Sequence, residues 1–245
     1  MRTAFAFAAF LVTLAAPAAE DARSRVFVVG SLYQGHESVA AYDLASLQRV
    51  LDAIRPDVLV LDVSPTELKQ QKVWPGKVEY TKVIFPYMNK RGLTAYAGEP
   101  DEPLFSRISG GVGKARKQMA LDHPSRAQAM EQYRKATYAA LKVYWQGPAE
   151  VHDDDTEQMI AGLKSYEAAL VGPVERQGSH DWDAYAAAMT RKAVRAHPGK
   201  RVLQITGIEN LPRVRAELRQ ADDIELVDMA AWLRAHDVRE IRADE

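Results

Sequence analysis

Residues able to do chemistry stand just past the ends of short apolar runs. Tyr33, His36 and Glu37 follow the run 25–29 beyond Gly30, and Glu209 and Asn210 follow the run 201–206 beyond Gly207. Asp62 closes the run 57–61 and is followed by Ser64 and Glu67, while Glu99 stands past 93–97. If those runs are neighbouring parallel strands, all of these groups meet on one edge, where open α/β sheets bind ligands. One imidazole among several carboxylates can hold a hard or borderline divalent ion, with His36, Asp62 and Glu99 as its ligands. It can also run acid–base chemistry if the carboxylate pKa values are pushed apart. Each residue also has a plainer use: Asp62 can cap the turn at Ser64-Pro65, Glu99 before Pro100 can be a solvated loop residue, and His36 can be structural.

The elements that must position these groups read as alternating strands and helices. Runs 25–29 and 57–61 flank a helix in which Leu44, Leu47, Val50, Leu51 and Ile54 recur at helical spacing, with Asp43 as its N-cap and Pro56 past its end. Val83, Ile84, Tyr87 and Met88 predict a further helix ending near Gly92, ahead of a strand at 93–97. Later strands are expected at 201–206 and 224–227, the first followed by a helix through Val214 and Leu218, the second by a helix at 230–235. This order predicts an α/β fold, a mostly parallel sheet flanked by helices.

The middle of the chain interrupts that alternation. Met130, Tyr133, Thr137, Leu141 and Tyr144 form one stripe, and Met159, Ile160, Leu163 and Tyr166 a second. A third helix carries Trp182, Tyr185, Ala186, Met189 and Ala193 on one face and ends at His197-Pro198-Gly199. The two stripes predict an inserted helical layer, at about 103–180, and the third helix feeds the strand at 201–206. Gly110-Gly111-Val112-Gly113-Lys114 lacks the first glycine and the final Ser or Thr of a phosphate loop, and it reads as an exposed loop. His152 with Asp153, Asp154 and Asp155, and His180 with Asp181 and Asp183, read as helix starts.

Arg2, the apolar run 3–16 and the small residues of Ala16-Pro17-Ala18 have the form of a secretory signal at 1–18. The run is shorter than the ~20 residues that span a bilayer. A periplasmic or secreted single domain at 19–245 is therefore expected, with no stable membrane span after cleavage. The chain has no cysteine, so this domain must be held by apolar burial, for which its length suffices. The whole chain's formal charge of −1, which becomes −2 without Arg2, with both signs interspersed, argues against nucleic acid and against an anionic membrane surface as partners.

Residues 26–37, the following helix and Arg55-Pro56-Asp57-Val58-Leu59-Val60-Leu61-Asp62 resemble the opening of the TraB, Tiki and ChaN-like superfamily, which includes erythromycin esterase-type enzymes. In that group one strand ends in Gly-x-x-His and a later Pro-Asp-Val strand ends in glutamate. Met189, Gly199-Lys200-Arg201-Val202-Leu203 and the turn at 207–210 extend the resemblance over nearly the whole mature chain. The departures fall on the site: Tyr33 and Asn210 occupy the two histidine positions, and Asp62 stands in place of the glutamate.

Neither replacement is a good metal ligand, since a phenol stays protonated at neutral pH and a carboxamide suits calcium better than zinc. The resemblance thus implies a degenerate metal site and a non-catalytic binder of a small ligand or an envelope protein, with Gly30, Tyr33, Glu67, Glu99, Gly207, Glu209 and Asn210 as ligand contacts. The alternative is a divergent hydrolase in which His36 or Glu37 is the base, Asp62 orients it, and Tyr33 and Asn210 steady an oxyanion. A third class is an interaction module working through the inserted helices. A divalent metal, or a haem lying between that layer and the sheet, is the cofactor such a site would take.

Overall fold

A computed structural model describes residues 23–236 and 238 of the chain, and the expected signal segment lies outside them. Five strands form one parallel sheet: β1 (Ser24–Ser31), β2 (Val58–Leu61), β3 (Thr94–Ala97), β4 (Arg201–Gly207) and β5 (Ile224–Leu226), in the order β3-β2-β4-β1-β5. The expected α/β architecture is present. All of β2, and all of β1 except Arg25, is buried, as a parallel sheet covered on both faces requires.

Helix α1 (Leu44–Ile54) starts at Asp43, whose side chain accepts the Ser46 N–H at 2.7 Å, and stops at Arg55 in the left-handed conformation before Pro56. Its apolar stripe, Leu47, Val50, Leu51 and Ile54, is fully buried. Helix α2 (Pro65–Gln70) opens with a reciprocal cap between Ser64 and Glu67. Before α3 (Phe85–Arg91) the backbone makes a π turn over Tyr80–Ile84; Pro86 lacks the N–H that would continue the ordinary ladder there.

Between β3 and β4 lies the expected helical layer: α4 (Leu104–Asp122), α5 (Pro124–Tyr144), α6 (Pro148–Val151), α7 (Asp154–Val171) and α8 (Pro173–Ala196). Residues 110–113 are helical turns of α4 and not an exposed loop. Gly111 meets Val174 of α8, and Gly178 of α8 seats Val112, so small residues let the two helices approach closely enough to outweigh the helix cost of glycine. Asp153 caps α7 as expected, accepting the Thr156 N–H. The 180–183 segment is mid-helix rather than a helix start, and Asp183, not Trp182, is its buried member. Helices α9 (Leu211–Leu218) and α10 (Met229–Ala235) follow β4 and β5.

The topology creates a crevice. Strands β1 and β4 are neighbours in register from Arg25↔Arg201 to Ser31↔Gly207. From β1 the chain crosses to β2 on one side, whereas from β4 it crosses to β5 on the other. Right-handed crossovers in opposite directions put their helices on opposite faces, so the loops leaving β1 and β4 part company. That is a topological switch point, and the gap outside its carboxyl ends is where such sheets take ligands.

Candidate functional site

A cavity of about 410 Å³ sits at this switch point. Leu32 and Tyr33 after β1, and Gly207 at the end of β4 with residues 208–210 beyond it, form its floor, while Arg134, Tyr138 and Lys142 of α5 and Trp145 beyond it supply a wall. Trp74, in the loop after α2, stands at its mouth. The helical insertion is thus one wall of the crevice.

Tyr33 has φ 53°, a left-handed conformation that a bulky residue adopts at a cost. It sends the phenol back over the end of β4: a Cβ on Gly207 would collide with Tyr33 Oη and stand 3.2 Å from Asn210 Oδ1. The two strand-end turns therefore meet across Gly207, and Tyr33 and Asn210 share one pocket. Gly30 serves packing instead. Its added Cβ would sit 2.8 Å from Ile208 Cδ1, and its N–H donates to His152 Nε2 at 3.0 Å.

Behind the cavity wall lies a buried polar cluster. Tyr33 Oη donates to Asp62 Oδ2 at 2.5 Å, the Asp62 N–H donates to Tyr80 Oη at 2.7 Å, and Lys77 Nζ donates to the Asp62 carbonyl at 2.5 Å and to Glu99 Oε1 at 2.6 Å. Burial, then the Asp62 charge, push the Glu99 carboxyl up to about 9 against the pull of Lys77, so Glu99 keeps its proton at neutral pH. Burial alone would lower Lys77, but these two carboxyls raise it, and it stays an ammonium. Burial and Asp62 push the Tyr33 phenol well above its ordinary value. Next to this group Ser31 donates to Glu79 Oε1 at 2.5 Å, and burial pushes Glu79 up to about 7. Tyr42 Oη and Glu79 Oε2 are both buried without a partner.

Several sequence candidates serve other ends. Both nitrogens of His36 are engaged: Nδ1 donates to the Tyr42 carbonyl at 2.8 Å and Nε2 accepts the Leu32 N–H at 3.1 Å. Burial holds its pKa down, and the neutral ring pins the loop after β1 rather than offering a base or a metal ligand. Glu37 points outward to Lys82 at 2.6 Å, both side chains about half exposed. Glu67 is the cap partner of Ser64. Glu209 enters the cavity wall, where Arg134 grips it, Tyr138 Oη donates to it at 2.9 Å and Lys164 lies at 3.7 Å. Burial would raise its pKa, and the guanidinium more than reverses this. Asn210 Nδ2 donates to Asp183 at 2.6 Å, and burial lifts that carboxyl to about 7.

Lys77, Glu79, Tyr80, Arg134, Tyr138 and Asp183 are missing from the sequence-level candidates. The signal for Lys77 is a lysine just after the Pro75-Gly76 turn in a segment without periodicity; the helical residues carry none.

The donor set does not suit a resident divalent ion. The Asp62 and Glu99 oxygens face an ammonium, a phenol proton and each other, and His36 has no free lone pair. Among the described residues no three His, Asp or Glu side chains converge as a metal site requires. The ammonium of Lys77 takes the place among oxygens that a cation would occupy.

Fold and site together define a doubly wound α/β protein with a ligand-sized crevice at its switch point. Comparison of the chain with protein-family models, with curated proteins and with solved structures finds no match. Among the described residues no helix is long and apolar enough to cross a membrane.

Proposed function

We propose that this chain is an exported, non-catalytic binding protein of the cell envelope that takes a small ligand at the β1/β4 switch point. It would be a TraB, Tiki and ChaN-like domain whose metal site has decayed. One observation carries this reading: the two turns that would bear the metal-binding histidines meet across Gly207 beside an open cavity, while the neighbouring carboxyls are held by Lys77. Asn210 keeps its carboxamide oxygen at the floor, and aromatic walls supply apolar area, the usual composition of a small-molecule site. The apolar run 3–16 supports export.

A divergent hydrolase is the second reading, favoured by the Tyr33–Asp62 hydrogen bond beside the cavity and the proton held on Glu99 nearby. In that form Asp62 and Tyr33 carry the chemistry, since His36 and Glu37 are otherwise engaged.

A saturation-transfer NMR fragment screen of the mature protein, paired with an ester and peptide turnover panel on wild type, His36→Ala and Asp62→Ala, separates the two. Binding without turnover above the buffer rate supports the binder. Turnover lost in Asp62→Ala establishes the hydrolase instead.

A further inference from the structure

The polar groups around the cavity differ in how far their charges are already answered. Glu167, Glu175 and Glu209 are matched by Arg116, Arg134 and Lys164 in one network of ion pairs. Glu167 is fully buried within it and Glu175 nearly so. Three anions against three cations leave that side of the cavity close to neutral. Lys142, one helical turn beyond Tyr138 on α5, is the exception. Its ammonium has only the Ser38 hydroxyl, at 3.4 Å, and no carboxylate within ion-pair reach among the described residues. The cavity thus carries one unanswered positive charge at its rim.

The second observation is Trp74. It is 59% exposed, although indole is among the costliest side chains to leave in water. Its ring lies directly over Gly76, where any Cβ would collide with it, and it lines the mouth of the cavity. Inside, Trp145 and Leu32 add apolar surface and Tyr138 adds a further ring. An exposed aromatic above an aromatic-lined hole favours a flat partner, which stacks on it and has few internal rotations of its own to lose.

We infer that the switch-point cavity binds a small anion with a flat apolar body, its ring against Trp74 and its carboxylate or similar head on Lys142. At ~30 Å³ per water-sized group, the 410 Å³ holds roughly fourteen such groups, enough for a one- or two-ring carboxylate. This rests on the binding reading proposed above and adds the ligand's class to it.

Calorimetric titration of the mature protein with 2-naphthoate, its neutral isostere 2-naphthamide and 2-naphthylmethylammonium tests it, with tryptophan fluorescence as a parallel readout. The expected result is one saturable site for the naphthoate with indole quenching, about tenfold weaker binding of the amide and none of the ammonium compound. Lys142→Gln should bring the acid and amide to equal affinity, and Trp74→Ala should weaken both about tenfold. Both side chains are exposed, so circular dichroism and melting temperature should match wild type in both variants. Equal binding of acid and amide to wild type, or an acid affinity untouched by Lys142→Gln, overturns the anion assignment and leaves the cavity a binding site. No binding by any of the three overturns it as well; the broader binder reading then stands or falls on the fragment screen.

Discussion

Tyr33 Oη donates to Asp62 Oδ2 at 2.5 Å from a residue held at φ 53°, so the loop after β1 and the end of β2 are joined by one short hydrogen bond behind the cavity. A left-handed backbone costs a non-glycine residue roughly 1–2 kcal/mol, and this contact is what the conformation secures. Tyr33→Phe keeps the ring and removes the donor, leaving a buried carboxylate short of a partner. The expected loss is about 1–3 kcal/mol in urea unfolding, with Tyr33→Ala losing more.

The proton held on Glu99 makes stability depend on pH in a defined window. Glu99 is raised from 4.5 to about 9 on folding, so between those values the folded chain binds a proton that the unfolded chain has released. Its contribution is therefore full below about 4.5 and falls as pH rises towards about 9. Glu79, raised to about 7, acts in the same direction over the lower part of the window. Glu99→Gln keeps a neutral donor beside Asp62. Denaturant titrations at pH 5, 7 and 9 should show the variant gaining on wild type by about 1–2 kcal/mol across the series.

His36 and Glu37 are adjacent in sequence and unlike in role. His36→Ala removes a ring that bridges the Leu32 N–H and the Tyr42 carbonyl and packs edge-on against Tyr42, and it should cost about 2–3 kcal/mol. Glu37→Ala breaks only an exposed pair with Lys82 and should stay within about 0.5 kcal/mol of wild type. Thermal melts of the two variants compare them directly.

Glu167 is fully buried between Arg116, Arg134 and Lys164. Glu167→Ala leaves three cations with too little counter-charge under the helical layer, and the expected cost is about 3–5 kcal/mol. Because Arg134 also holds Glu209, the same change should loosen the cavity wall, read as faster amide exchange in α5.

Two histidines can give the turns metal ligands, provided the lysine is also removed. Tyr33→His with Asn210→His puts two imidazoles across Gly207, but Lys77 still occupies the carboxyls. Adding Lys77→Met frees Asp62 and Glu99 as oxygen ligands. Calorimetry with Zn²⁺ should find the triple variant at least about tenfold tighter than the double. Equal affinities would mean that Lys77 does not hold the carboxyls closed to metal.

How much of this was legible in the sequence follows from which residues repeat. The strands announce themselves as short apolar runs, α1 and the helical layer by apolar residues at helical spacing, and Gly30 and Gly207 mark strand ends because no side chain fits beside Ile208 or Tyr33. That the two turns meet was readable from their common form. Lys77 and Glu79 were not, because they lie in an aperiodic stretch and matter only through contacts made far along the chain. Arg134 and Asp183 sit on helices whose apolar spacing says which face is inside but not which polar residue is drawn in with it. His36 misleads for the opposite reason: its type suggests chemistry, and only coordinates reveal that both nitrogens are taken.

The claim on which the account turns is that the gap between the β1 and β4 ends is a binding site. A crystallographic fragment soak of the protein examines it directly. The account predicts density for flat fragments between Trp74 and Tyr138, over the Tyr33 and Asn210 side chains. Fragments bound only elsewhere, with α5 and the Trp74 loop packed down to fill the gap, would contradict it.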